Sequence, residues 1–163
     1  MDPRSPEPAV TAYVALGANL GDAVAAVRTA LAALDRLPHT RVTGRSSLYK
    51  TRPVDAEGPD FINAVAQLQT GLSPLDLLHA LQLLEQAAGR VRSHRNAPRT
   101  LDLDLLLHGA AQLQTDELTL PHPRMRERGF VLLPLAEIAP LQVTAAELAA
   151  VAGQGVTRLP DAG

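Results

Sequence analysis

Between Thr100 and His108 the chain reads Leu101-Asp102-Leu103-Asp104-Leu105-Leu106-Leu107, leucine alternating with aspartate at the period of a β-strand. On a strand, Leu101, Leu103, Leu105 and Leu107 share one face and need cover, while Asp102 and Asp104 share the other with Leu106. At a rise of ~3.3 Å per residue the two carboxylates stand ~7 Å apart, and they repel unless a cation lies between them. Mg²⁺ suits such a seat, because it is a hard cation that takes oxygen ligands and keeps positions open for phosphate. Arg95 and Arg99, just upstream with Pro98, supply the planar donors that clamp phosphate oxygens. The alternative is an exposed edge strand with solvated aspartates. The upstream arginines, the proline and the strongly apolar opposite face weigh against it.

A chain of 163 residues fits one domain and is long enough to bury roughly two-thirds of its surface. Hydrophobic residues make up 46% but aromatics only 2%, so alanine, leucine and valine must fill the core. There is no cysteine, which removes disulfides and thiolate chemistry and fits a reducing compartment. No apolar run approaches the ~20 residues of a membrane span. The proline-rich, charged opening, residues 1–8, does not read as a signal peptide. These features together predict a soluble cytoplasmic protein without a membrane partner. A net charge of −2 argues against a general nucleic-acid binder. Arginine is nevertheless clustered, at 90, 92, 95 and 99 and again at 124, 126 and 128, which points to a local anionic ligand.

Taken in order, residues 1–9 predict a disordered lead-in, 10–152 a single domain and 153–163 a flexible tail. Residues 12–16 form an apolar strand, closed at 17–21 by two glycines and an asparagine that suit a tight turn with positive φ. That turn lacks the lysine and the glycine spacing of a phosphate loop. Asp22 caps a helix to about Leu37, with Val24, Val27, Leu31 and Leu34 at helical spacing. Residues 40–50 predict one strand, 51–60 a surface loop, and 61–70 a strand. On that last strand Phe61, Asn63 and Val65 face one way, and Ile62, Ala64, Ala66 and Leu68 the other. An aromatic beside an amide at a strand mouth suits a flat heterocycle, although ordinary packing is the simpler reading.

Ser73-Pro74 opens a helix with the stripe Leu77, Leu78, Leu81 and Leu84, ended by Gly89. Gln82 and Glu85, three apart, read as its solvated face. Beyond the aspartate strand, 118–120 is a short strand, Pro121-His122-Pro123 a rigid turn presenting an imidazole, 131–138 a helix, and Thr144-Ala145-Ala146-Glu147 a capping box. The order strand, helix, strand, strand, helix, strand predicts an α+β fold. It is a ferredoxin-like antiparallel sheet with a βαββαβ core, both helices on one face, plus C-terminal additions.

These motifs converge on a family. Leu16-Gly17-Ala18-Asn19-Leu20-Gly21, Ser46-Ser47-Leu48-Tyr49, Phe61-Ile62-Asn63-Ala64, Gly89-Arg90-Val91-Arg92, residues 95–106, Pro121-His122-Pro123 and Arg128-Gly129-Phe130 resemble the 6-hydroxymethyl-7,8-dihydropterin pyrophosphokinases over residues 12–140. Those are folate-pathway transferases that move diphosphate from ATP to a pterin alcohol. The resemblance implies Asp102 and Asp104 as ligands of two Mg²⁺ ions, with Arg90, Arg92, Arg95 and Arg99 as the catalytic-loop and phosphate-contacting arginines. It places ATP at Gln82, Glu85, Arg99, Thr119, His122 and Arg128. It places the pterin at Thr51, Val54, Phe61, Asn63 and Phe130, with the two rings sandwiching it and Asn63 reading its hydrogen-bonding edge. It also implies a monomer with small-molecule substrates only. Departures from the family pattern are Asn96 and Pro123, where aromatics are common, and a loop between Gly89 and Arg99 one residue shorter than in some members. Thr51-Arg52-Pro53 retains the Thr-x-Pro segment.

The implied chemistry is positioning and charge neutralisation around an attack by the pterin hydroxyl on the β-phosphorus, with AMP leaving. The loops 51–60 and 90–99 are expected to close as lids against water. Two rival classes are a non-catalytic regulatory domain of the same fold and an ordinary kinase that transfers one phosphoryl group.

Overall fold

The computed structural model describes residues 9–52, 59–89 and 101–160. The elements are β1 (Val10–Ala18), α1 (Ala23–Leu34), β2 (Thr40–Arg45), β3 (Tyr49–Thr51), β4 (Phe61–Thr70), α2 (Pro74–Gly89) and β5 (Asp102–His108). They are followed by β6 (Leu113–Gln114), β7 (Thr119–Leu120), a 3₁₀ turn (Met125–Glu127), α3 (Gly129–Ile138), α4 (Ala145–Val151) and β8 (Thr157–Arg158).

β5, β1 and β4 lie side by side in one sheet, and the far edge of β4 is shared by β2 and β3, with β8 beyond β3. The pairings are antiparallel. With β2 and β3 counted as one interrupted strand, this is the βαββαβ order of a ferredoxin-like α+β fold.

Local chemistry sets the helix starts. Asp22 accepts a hydrogen bond from Ala25 N at 3.0 Å, and Ser73 Oγ accepts from Asp76 N at 3.1 Å. Thr144 and Glu147 form a reciprocal capping box on α4. α1 and α2 cover one face of the sheet, where Val27, Leu31, Leu34, Leu77 and Leu81 meet Val14, Leu16, Ala64, Leu68, Leu103 and Leu105. α3 and the 3₁₀ turn cover the other, where Leu132, Leu135 and Met125 meet Tyr13, Val65 and Leu106. At ~2–5 kcal/mol for each buried leucine cut to alanine, these two layers hold the sheet between them.

Several expectations change. Residues 40–50 are two strands and not one. Between them Ser46 N donates to Val65 O at 2.9 Å while Ser46 Oγ accepts from Val65 N at 3.0 Å, so a side chain replaces one rung of the ladder. Gly17 belongs to β1, and of the glycines at 17–21 it is Gly21 that has positive φ, 57°. The register of β5 against β1 shifts between Tyr13 and Val14, so Leu107 packs against the α3 layer and not with Leu103 and Leu105. The stretch from 153, expected as a flexible tail, is instead fastened through 154–159: β8 pairs with Tyr49 and Lys50, and Leu159 N donates to Leu48 O at 2.8 Å. Helix α1 ends at Leu34, three residues before Leu37, and β7 has a partner in β6 that the sequence did not announce.

Candidate active site

Strand register assembles the site. Gly17 in β1 pairs with Asp102 on one side and Asn63 on the other, and Asn63 in turn pairs with Tyr49. One rung along β1, Ala15 pairs with Asp104 and Val65. One rung the other way along β4, Phe61 pairs with Thr51. Paired residues project to the same face, so Asp102, Asp104, Asn63, Phe61 and Thr51 all look toward the layer that holds α3. Strands stand ~4.8 Å apart, which puts Asp102 and Asn63 about 10 Å from each other across a residue without a side chain.

Above that floor lies a cavity of about 730 Å³. Asp102, Asp104, Gly17, Asn63, Thr51 and Phe61 line it from the sheet, and Arg124, Glu127, Arg128, Phe130 and Gln154 from the segment leading into and packed on α3. Small residues on β1 keep the floor low. A β-carbon at Gly17 would stand 3.1 Å from Asn63 Oδ1, tighter than an ordinary contact. Asn63 is 4% exposed, and its Nδ2 donates to Thr51 Oγ1 at 2.9 Å, which fixes the plane of the amide. On the opposite wall the Arg128 guanidinium lies 5.6 Å from the centroid of the Phe130 ring, a cation–π contact that holds positive charge beside an aromatic face.

His122 stands on the turn after β7, outside the cavity lining. Its backbone N donates to Leu106 O at 3.0 Å, and its Nδ1 accepts from Arg124 N at 3.2 Å. Burial lowers its pKa, and the charges of Arg128 and Arg124 push the same way, against the opposing pull of Asp104. With Nδ1 accepting, the neutral ring carries its proton on Nε2.

Two walls of the cavity are tied together from behind. Glu137 of α3 accepts from Tyr49 OH at 2.7 Å, from Ser47 Oγ at 3.0 Å and from Ser47 N at 3.0 Å, with Arg158 at 3.6 Å. Burial alone would raise the pKa of this carboxyl, but those bonds and the arginine outweigh it and hold it below the usual range. Burial, and then the same hydrogen bond, pushes the Tyr49 hydroxyl well above its ordinary value.

Of the residues singled out in the sequence, Asp102, Asp104, Thr51, Phe61, Asn63, Arg128 and Phe130 meet around one cavity. Gln82, Glu85, Thr119 and His122 do not line it. Gln82 is exposed on α2, whereas Glu85 Oε2 accepts from Leu103 N at 2.8 Å, the amide lying between the two aspartates. Val54, Arg90, Arg92, Arg95 and Arg99 lie outside the described residues. The sequence reading missed Arg52, Glu127 and Gln154 as lining residues and Glu137 as a tie. For Arg124 the arginine cluster was a signal, but Gln154 and Glu137 have none in local pattern, since their partners lie 25 and 88–90 residues away.

The family described as 7,8-dihydro-6-hydroxymethylpterin-pyrophosphokinase (HPPK) matches residues 13–140. A protein of Pseudomonas aeruginosa named 2-amino-4-hydroxy-6-hydroxymethyldihydropteridine pyrophosphokinase is 48% identical over 157 residues, 92% of this chain and 97% of its own length. Proteins of the same name from Haemophilus influenzae and Bacillus subtilis are 48% and 46% identical, over 80% and 78% of this chain and 82% and 77% of theirs. Among solved structures, wild-type HPPK-DHPS of Plasmodium falciparum with SDX-DHP superimposes with a TM-score of 0.65 at 15% identity, over 85% of this chain and 42% of that one. The match spans about two-fifths of that longer chain, and at this identity it shows the fold alone.

Proposed function

The chain belongs to the 7,8-dihydro-6-hydroxymethylpterin-pyrophosphokinase family, transferases of folate biosynthesis that move diphosphate from ATP to hydroxymethyldihydropterin, and we propose that it does so in the cavity between Asp102 and Phe130. The observation that carries this placement is the shared cavity itself. A paired acidic seat and a pocket bounded by the chain's two phenylalanines open onto one space, with Gly17 as the floor between them.

In this reading Phe61 and Phe130 hold the faces of the pterin ring. Asn63, its amide set by Thr51, meets the polar edge with Oδ1. Gly17 and Ala15 leave room for the hydroxymethyl arm to reach toward the acids. Asp102 and Asp104 are half-buried, oxygen-only donors on one face of β5, a set that fits Mg²⁺. When bound there, Mg²⁺ would offset charge on the phosphate oxygens. Arg128 brings positive charge to the same space, and His122 offers Nε2–H to a phosphate oxygen. Arg90, Arg92, Arg95 and Arg99 are assigned to the phosphates, and Gln82, Glu85 and Thr119 to the nucleotide's outer end. No side chain is asked to be a general base, since the proton of the pterin hydroxyl can pass to solvent.

We assign one domain from residue 10 to Leu159, which takes in β8 and Gln154, acting as a monomer in the cytoplasm on small molecules. No helix among the described residues is long and apolar enough to cross a membrane. The test is product analysis with Mg²⁺, ATP and 6-hydroxymethyl-7,8-dihydropterin. AMP and the pterin diphosphate in equal amounts support the reading. ADP would mean an ordinary kinase, and no turnover would mean a binding module.

A further inference from the structure

Gln154 lines the cavity with its side chain engaged in two main-chain bonds. Its Oε1 accepts from Gly129 N at 2.7 Å, and its Nε2 donates to Glu127 O at 3.0 Å. The residue between those two groups is Arg128, with φ −113° and ψ 113°. In so extended a residue the preceding carbonyl and the following N–H point to one side, and the planar amide of glutamine matches both at once. Arg128 is also the N-cap of α3 and makes no side-chain capping bond. A guanidinium has donors only, so it cannot satisfy the orphan N–H groups at a helix start, a task that serine, threonine, aspartate or asparagine performs elsewhere.

We propose that Gln154 caps α3 from outside the helix, so that position 128 can hold an arginine in the cavity, and that Gln154 is thereby a positioning residue for Arg128 and Phe130. The inference rests on the reading of the cavity as the site of diphosphate transfer. Two further features belong to the same device. A β-carbon at Gly129 would stand 3.1 Å from Val156 Cγ2 and 3.2 Å from Gln154 Oε1, so glycine there admits the docked segment. Past Gly155, at φ 72°, the chain runs into β8 and pairs with β3, the strand that ends at Thr51. Residues 154–159 therefore brace the Arg128–Phe130 wall and the Thr51 wall together, and they lie beyond the 13–140 matched by the family.

The test compares the full chain with Gln154→Ala, Gln154→Glu and the double variant Arg128→Asn/Gln154→Ala, reading KM, kcat and amide hydrogen exchange. Gln154→Ala should raise KM for pterin and ATP about three- to tenfold, with kcat within about twofold. Exchange at Gly129 N should quicken by at least about tenfold while amides in the centre of β4 keep their rates. Gln154→Glu keeps the acceptor and should restore Gly129 protection in part. Asn at 128 would cap the N–H of Phe130 or Val131 and not that of Gly129. In the double variant Gly129 should therefore stay fast-exchanging and the affinity low, even where the helix start is otherwise protected. Unchanged KM and Gly129 exchange in Gln154→Ala would overturn the proposal. So would equal acceleration in β4, or a Gln154→Glu variant no better than Gln154→Ala. If the unaltered protein fails to convert ATP and pterin, the functional reading falls, while Gly129 exchange still decides the cap.

Discussion

Gly17 and Asn63 are register partners, and the missing side chain of one leaves 3.1 Å between where its β-carbon would be and the amide oxygen of the other. The close approach, and not an unusual φ, is what requires glycine here. Gly17→Ala should displace the Asn63 amide by a few tenths of an ångström against the bond that Thr51 accepts. The expected result is a rise of about tenfold in KM for the pterin with KM for ATP unchanged, checked by steady-state kinetics.

Thr51→Val keeps the shape at position 51 but removes the acceptor for Asn63 Nδ2, inside a site where both residues are less than 10% exposed. An orphaned buried donor costs about 1–3 kcal/mol. Chemical denaturation should show a loss in that range, and pterin affinity should fall with it, whereas Thr51→Ser should retain most of both.

Asp102 and Asp104 point away from the leucines that hold β5 against α1 and α2. Asp102→Asn and Asp104→Asn should each lower turnover by at least about a hundredfold while leaving the melting temperature within a few degrees. Chelation of divalent ions in the unaltered protein should abolish turnover reversibly. A variant that unfolds at ambient temperature would contradict the placement of these side chains.

Glu137 ties α3 to the Ser47–Tyr49 stretch, and its pKa is lower in the folded chain than in the unfolded one. The sign follows from linkage: between the two values the unfolded state binds more protons, so stability rises with pH there. The contribution is present above the ordinary carboxyl value of 4.5 and is lost as pH falls through the depressed one. Melting curves of the protein and of Glu137→Gln should differ most above pH 4.5 and converge below it.

Much of this was legible in the chain because it is locally encoded. Asp22, Ser73 and Thr144 cap the helices their residue types announce, and the alternation from Leu101 to Leu105 places the acids on one face. The facing of Phe61 and Asn63 against Ile62 and Ala64 likewise follows from period two. What failed depends on distant partners. Ser46 breaks the strand at 40–50 by bonding both main-chain groups of Val65, and no local propensity carries that. The bulge opposite Tyr13 and Val14 reverses Leu107, because one extra residue flips every later side chain. Gln154 finds Glu127 and Gly129 only after α4 has folded back along α3, so its segment looked like a tail.

Whether the acidic pair and the proposed pterin pocket share one space is tested directly by Mn²⁺ in place of Mg²⁺. With a non-hydrolysable ATP analogue and pterin bound, the paramagnetic ion should speed relaxation of the pterin protons to a degree that places them within about 10 Å of it, two strand spacings. That enhancement should vanish in the Asp102→Asn/Asp104→Asn variant. Relaxation of bound pterin that is indifferent to Mn²⁺, or equally enhanced in the double variant, would contradict a shared space.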